Sequence, residues 1–243
     1  MRVIVISEIA SNWEGKLSIA KKIIFESKKA GADAVKFQMW RAKDLYSKKH
    51  PMWKNIKKSE LTFKKAKKLK SYCDNIGIEF FCSAFYPEAV DFLETIKVKE
   101  YKVASRTCLL KDPLSLETLM NESKTKKPII ISMGMGGNKN LIKKIFSKNE
   151  KFFLYCISEY PTKFERINWK EAIKYDGFSD HTLGIIAPII FTLLKKQKKA
   201  KKIFIEKHVK LKNSTGPDAS SSIDTEELKD MISKIIAIKK IKL

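Results

Sequence analysis

The sequence predicts a (β/α)8 TIM barrel, and three observations predict it. Short apolar runs alternate with amphipathic stretches from one end of the 243 residues to the other. Eight such pairs match the count and length of that barrel. No GxGxxG or P-loop follows the first apolar run, which removes the usual nucleotide-binding form of the rival doubly wound sheet.

The elements follow in order. Met1-Arg2 leads straight into the run 3–6, which is too short for a secretory leader and ends in Ser7-Glu8, so it reads as the first core strand. Further strand-like runs cover 34–37, 79–82, 101–104, 128–131, 152–156, 177–179 and 203–205. Their apolar continuity suits parallel strands buried on both faces. Helical patterns cover 16–30, 59–76, 87–95, 112–122, 138–147, 168–174, 184–196 and 224–240. Start signals stand at Ser59 before Glu60-Leu61, at Asp112-Pro113 and at Asp224-Thr225-Glu226-Glu227. Gly31 and Gly77 sit where a helix should stop. Residues 1–243 read as one barrel domain, a size that buries roughly three quarters of the unfolded surface.

Composition narrows the partners. Cys73, Cys82, Cys108 and Cys156 form no CxxC pair and no zinc-like spacing, so they read as reduced thiols. The formal net charge is +23, with lysine scattered along nearly every helical segment. That is a solvated lysine-rich surface, and one that draws anionic substrates. Arginines interleaved with aromatics are lacking, so no nucleic-acid partner is expected. No apolar run approaches the ~20 residues of a transmembrane helix, and the expected setting is cytoplasmic with no membrane partner.

Only three histidines occur, and His181 and His208 close strand-like runs one βα unit apart. Neutral imidazole is the commonest nitrogen ligand for a catalytic divalent metal. In a barrel of this kind the active site lies at the carboxyl ends of the strands. Those ends carry Glu8 running into Asn12, then Lys36 and Gln38, Ser83, Lys102 and Ser105, Ser132, Ser158-Glu159-Tyr160, Asp180-His181, and Glu206-Lys207-His208. One polar strand end is loop capping, but eight together predict a pocket. Lys36 and Lys102 beside Ser83, Ser105 and Ser132 make a patch suited to phosphate and carboxylate. Gly134, Gly136 and Gly137 allow close backbone approach. A metal on His181 and His208 would polarise a carbonyl oxygen, and Glu8, Glu206 or Asp218 could orient substrate or move protons. A metal-free aldolase with a Schiff base on Lys36, Lys102 or Lys207 stays open on these residues alone.

Several strings in series resemble the sialic acid synthase family. They are Glu8-Ile9-Ala10-Ser11-Asn12, Ala34-Val35-Lys36-Phe37-Gln38, Tyr101-Lys102-Val103-Ala104-Ser105, Ser132-Met133-Gly134-Met135, Ser158-Glu159-Tyr160-Pro161, Ser179-Asp180-His181-Thr182, Glu206-Lys207-His208 and Gly216-Pro217-Asp218. The resemblance implies condensation of phosphoenolpyruvate with an N-acylated amino-hexose such as N-acetylmannosamine or its 6-phosphate, yielding a nonulosonic acid and phosphate. It implies Mn²⁺ or Mg²⁺ on His181 and His208. Lys36, Lys102, Ser105, Ser132 and Ser179 would hold phosphoenolpyruvate, with Ser83 where relatives commonly have threonine. Glu8, Gln38, Tyr160 and Asp218 would contact the sugar, and Asn12 joins the substrate-binding set.

Three departures from that pattern stand out. Trp13 replaces the usual histidine after the asparagine. Ser105-Arg106-Thr107 replaces Ser-Gly-acidic, and Arg106 is the expected compensating cation, one that could hold a phosphorylated sugar. No antifreeze-like C-terminal domain is expected in these residues, so a separate protein could supply one. The resemblance also implies a homodimer. The nearest alternatives are a 3-deoxy-2-keto sugar acid synthase using an aldose phosphate, and a catalytically weakened binding barrel.

Overall fold

The computed structural model describes residues 1–242, so Leu243, the end of the expected domain, lies outside the described residues. Eight parallel strands form a barrel wall. They are β1 (Arg2–Glu8), β2 (Ala34–Met39), β3 (Glu79–Ala84), β4 (Tyr101–Val103), β5 (Ile129–Ser132), β6 (Lys151–Cys156), β7 (Gly177–Asp180) and β8 (Lys202–Lys210). Around the ring the order is β3-β2-β1-β8-β7-β6-β5-β4, and β3 lies beside β4 where the ring closes, with no ladder recorded between them. A two-residue strand, β9 (Ile223–Asp224), pairs in parallel beside the last residues of β8. The (β/α)8 barrel expected from the alternating pattern is the fold observed.

Among the described residues ten α-helices accompany the strands: α1 (Leu17–Ala30), α2 (Ala42–Leu45), α3 (Trp53–Lys58), α4 (Phe63–Ile76), α5 (Pro87–Thr95), α6 (Ser115–Lys124), α7 (Lys139–Ile145), α8 (Trp169–Ala172), α9 (Ile186–Gln197) and α10 (Thr225–Lys240). α2 and α3 are additions to the expected set, inserted between β2 and α4. α3 is only six residues long and no more than partly buries Trp53 and Ile56, too short a run for an apolar period to be read. The start expected at Ser59 is corrected: Ser59 closes α3, and Thr62 caps α4 by accepting from the Lys65 amide. The start expected at Asp112 moves to Ser115, because the Asp112 carboxylate is engaged by Arg106. The expected stops hold, since Gly31 and Gly77 both adopt the left-handed conformation.

At α10, Asp224 accepts from the Glu226 and Glu227 amides while Glu227 bonds back to the Asp224 amide, a reciprocal capping box. Asp224→Ala is expected to lower stability by about 1 kcal/mol, read as a shift of the urea midpoint at unchanged slope. α10 packs against α1 and α9, closing the outer ring beside the strands where the chain begins.

One buried carboxyl stands outside any ion pair. Glu122 on α6 is inaccessible and neither oxygen has a hydrogen-bond partner. Burial pushes its pKa well above the ordinary carboxylate value, and the Lys102 ammonium only partly offsets this. The folded protein therefore holds a proton that the unfolded chain releases above about pH 4.5. This group's contribution is most favourable below that pH and is lost as pH rises toward the folded value. Glu122→Met is expected to stabilise by about 1–3 kcal/mol at neutral pH. The gain should shrink on acidification toward pH 4.5, as measured by paired denaturant titrations.

Candidate active site

Strand register brings the polar ends together. Glu8 of β1 pairs with Lys36 on β2 and with His208 on β8, while Ser179 of β7 pairs with Glu206. Side chains alternate across each strand, so one face of every strand points into the barrel. Low in the barrel Ile4, Ile6, Ala34, Phe81, Ile130, Leu154 and Phe204 form a compact apolar cluster of their own. The next inward positions are Glu8, Lys36, Ser132, Cys156 and Glu206. Here the barrel changes from hydrocarbon to charge, and a cavity of about 370 Å³ opens above the plug.

The floor of that cavity is an ionic cluster with little access to water. Lys36 is ion-paired to Glu8 and lies 3.4 Å from Glu206. Lys102 Nζ donates to Ser132 Oγ at 2.7 Å and to the Val103 carbonyl at 3.2 Å, and lies 3.6 Å from Glu206. Ser179 Oγ donates to Glu206 at 2.7 Å, and Gln38 donates to Glu8 at 3.2 Å. Burial alone would lower the Lys36 pKa, but Glu206 and Glu8 reverse this and hold it above the ordinary value. Burial raises Glu206 as well, yet Lys102, Lys36 and the Ser179 bond overcome it and bring its pKa down to about 2. Glu8 carries the strain of the shared site. Burial and the neighbouring Glu206 outweigh Lys36 and raise its pKa to about 7, so it can give or take a proton near neutrality. Lys102 is lowered, chiefly by burial.

Above the floor stand the two imidazoles, with ring centroids 5.3 Å apart and Tyr160 packed over both, 4.1 Å from His181 and 5.9 Å from His208. His181 Nδ1 lies 2.6 Å from the Ile157 carbonyl. A proton on that nitrogen fixes the ring and leaves Nε2 as the ligating atom. Burial holds the His208 pKa well below its usual value, so the ring is neutral, and its buried Nδ1 has no partner. Among the described residues no group of three or more His, Cys, Asp or Glu side chains is arranged to hold a metal. Two buried imidazoles, His208 held neutral by its burial, suit a divalent ion that completes its coordination with substrate and water.

Most of the residues expected at the site line this cavity: Glu8, Lys36, Gln38, Lys102, Ser105, Arg106, Ser132, Tyr160, Ser179, His181, His208 and Asp218. Asn12 and Ser83 do not. Asn12 is buried and donates to the Val209 carbonyl and to Ser222, tying the loop after β1 to the loop after β8. Asp218 strengthens the same tie by accepting from the Ser11 amide at 2.6 Å. Ser83 is fully buried with its hydroxyl unpartnered. Trp13 is also core, edge-on to Phe37. The position thus packs the wall rather than adding a polar group.

Arg106 is at the mouth, but it is not the free cation expected there. Its Nε and Nη2 bond both oxygens of Asp112 at 2.8 and 2.9 Å, and Nη2 also donates to the Leu45 carbonyl. Thr107 is buried in a single helical turn. The lining extends beyond the expected set, with Cys156 and Tyr46 its main polar additions. Cys156 lies 3.9 Å from His181 and 3.8 Å from Ser105, and its position on the inward register was the signal for it. Tyr46 arrives with the inserted α2–α3 segment, which has no such signal. Gly134 is needed for close approach, since a Cβ there would fall 2.7 Å from Cys156 Sγ and 2.9 Å from its backbone. By contrast Lys207 does not line the cavity and is paired with Asp180 behind the wall.

Charged groups gathered this deeply at the strand ends mark a binding and reaction centre, which makes the chain a (β/α)8 enzyme with an anion-receptive active site. Residues 23–242 match the NeuB family, and the chain belongs to it. An uncharacterised protein of Methanocaldococcus jannaschii is 36% identical over 97% of this chain and 71% of its own length. The N,N'-diacetyllegionaminic acid synthase of Campylobacter jejuni is 32% identical over 98% of this chain and 77% of its own. Among solved structures, N-acetylneuraminic acid synthetase from Leptospira borgpetersenii superposes with a TM-score of 0.87 at 25% identity. That match covers 99% of this chain and 85% of the other. No helix among the described residues is long and apolar enough to cross a membrane.

Proposed function

We propose that this enzyme condenses phosphoenolpyruvate with the open-chain form of an amino-hexose to give a nonulosonic acid and inorganic phosphate. The observation that carries the reading is the layered cavity of a NeuB-family barrel, with a lysine and serine floor beneath a pair of adjacent imidazoles. A bond forms between C3 of phosphoenolpyruvate and the aldehyde carbon, and the aldehyde oxygen gains a proton. Water adds at C2 and gives up a proton. The C2–O bond to phosphorus then breaks in the adduct, leaving a ketone and free phosphate.

Lys102 with Ser132, Ser105 and Ser179 would receive the carboxylate and phosphate, since lysine supplies charge and the hydroxyls supply direction. Lys36, already held between two carboxylates, would keep Glu8 and Glu206 apart and in place. Glu8 is the group suited to exchange a proton with the sugar oxygen or the attacking water. His181 and His208 would hold Mn²⁺ or Mg²⁺, which supplies Lewis acidity at a carbonyl oxygen.

The test is phosphate release from phosphoenolpyruvate with Mn²⁺ and a set of N-acyl hexosamines, with and without EDTA. Sugar-dependent release abolished by EDTA is expected. A chain that neither binds phosphoenolpyruvate in calorimetry nor releases phosphate would end the proposal. One lysine leaves a second reading. Lys102 is buried, less basic than usual and inside the cavity, as a Schiff-base aldolase requires. Borohydride with pyruvate distinguishes the two, because a trapped Lys102 adduct would favour the aldolase.

A further inference from the structure

We infer that Arg106 is a positioning residue, one that latches the segment 41–60, inserted between β2 and α4, as a cover over the cavity mouth. Only the kinetic consequence of the latch rests on the condensation reading above. The segment is built to lift. Within it only Ala42 and Ser59 are buried, one near each end, and buried Trp40 and Leu61 flank them. Glu60 clasps the two ends by accepting from the Ala42 amide at 2.6 Å. Arg41 fixes the same base, 4.1 Å over the Tyr86 ring and paired with Asp44. Between the ends stand one turn, α2, and the six residues of α3, with Trp53 and Ile56 only partly packed on the core. A loop with clasped ends and few buried contacts opens at a low free-energy cost. Yet this loop supplies Leu45, Tyr46 and Ile56 to the cavity lining.

Its two edges are held differently. At the end of α3 the chain rests on the loop after β1, where a Cβ on Gly15 would fall 2.0 Å from the Lys58 carbonyl oxygen. That is backbone against backbone. The Leu45–Tyr46 edge is held from the loop after β4. Arg106 Nη2 donates to the Leu45 carbonyl at 3.2 Å, and the guanidinium lies 5.5 Å from the Tyr46 ring centre. Asp112 accepts from Nε and Nη2 at 2.8 and 2.9 Å, so the planar fork is oriented before Leu45 meets it. When the fork lets Leu45 go it keeps Asp112, and no charge is stranded by opening. A latch needs that economy: it releases one hydrogen bond and one ring contact, and leaves the floor of Lys102, Ser132 and Glu206 untouched.

The experiment uses the full chain with Mn²⁺ and phosphoenolpyruvate, read by hydrogen–deuterium exchange and by phosphate release with N-acetylmannosamine. Arg106→Met keeps the stem and removes the donors, while Arg106→Lys keeps a charge beside Asp112 without the fork. In both variants, exchange in peptides from 42–58 should run about tenfold faster, the equivalent of one hydrogen bond from a charged group. Exchange in β1 and β8 should stay as in the parent. The KM for the sugar should rise about tenfold, with phosphoenolpyruvate affinity in calorimetry unchanged. Parental exchange across 42–58 in both variants would overturn the latch. Faster exchange spread evenly over the barrel would overturn it too, by making Arg106 a general prop. Full recovery by lysine would reduce the role to charge and end the inference. The condensation reading fails separately, if phosphoenolpyruvate neither binds nor yields phosphate with any sugar, and exchange across 42–58 still decides the latch.

Discussion

His208→Ala is expected to lower sugar-dependent phosphate release by about a thousandfold, the rate equivalent of roughly 4 kcal/mol. The ring is neutral, its buried Nδ1 is unpartnered, and it shares the upper cavity with His181 and Tyr160. None of the floor contacts passes through it. Lys102, Ser132 and Glu206 keep one another in its absence. The variant should therefore still bind phosphoenolpyruvate in calorimetry and unfold within a few degrees of the parent. Residual turnover above a tenth of the parent rate would remove His208 from the reaction. Loss of phosphoenolpyruvate binding would instead place it among the anion contacts.

Asp180→Ala should have the largest effect on stability. Lys207 and Asp180 are both wholly inaccessible, their side chains 2.6 Å apart. Asp180 also accepts from the Thr182 amide and hydroxyl, and Lys207 donates to the Thr182 carbonyl. Removing the carboxylate leaves a buried ammonium with one carbonyl for company, which costs about 3–5 kcal/mol. A denaturant midpoint measures it. Replacing both partners, Asp180→Leu with Lys207→Met, should recover most of the loss, because no uncompensated charge then remains. A single variant within 1 kcal/mol of the parent would show that the pair does not hold the wall.

Much of this site was legible because strand alternation is rigid. Once the apolar runs are aligned as parallel strands, every second residue faces inward. Glu8, Lys36, Lys102, Ser132, Ser179, Glu206 and His208 follow from that rule. What the rule misses are side chains that answer to loops. Asn12 has the chemistry of a ligand contact, but a neighbouring carbonyl and hydroxyl take its amide. Arg106 looks free until Asp112, six residues on, proves to be its partner instead of a helix start. Ser59 is a plausible cap that loses to Thr62, which has the amide within reach. α3 is six residues long with only Trp53 and Ile56 turned inward, too short a run for a helical period to announce it.

The hydrocarbon plug across the lower barrel has a kinetic meaning. It closes the bottom of the site, and a site closed below imposes a queue on ligands that enter from above. Whatever reaches Lys102 and Ser132 must arrive before the molecule that settles beneath Tyr160, and cannot leave past it. Two substrates sharing such a shaft bind in a fixed sequence, and excess of the later one should slow entry of the earlier. Initial-rate patterns and substrate inhibition would thus report the depth of the well, with no ligand needing to be seen in place.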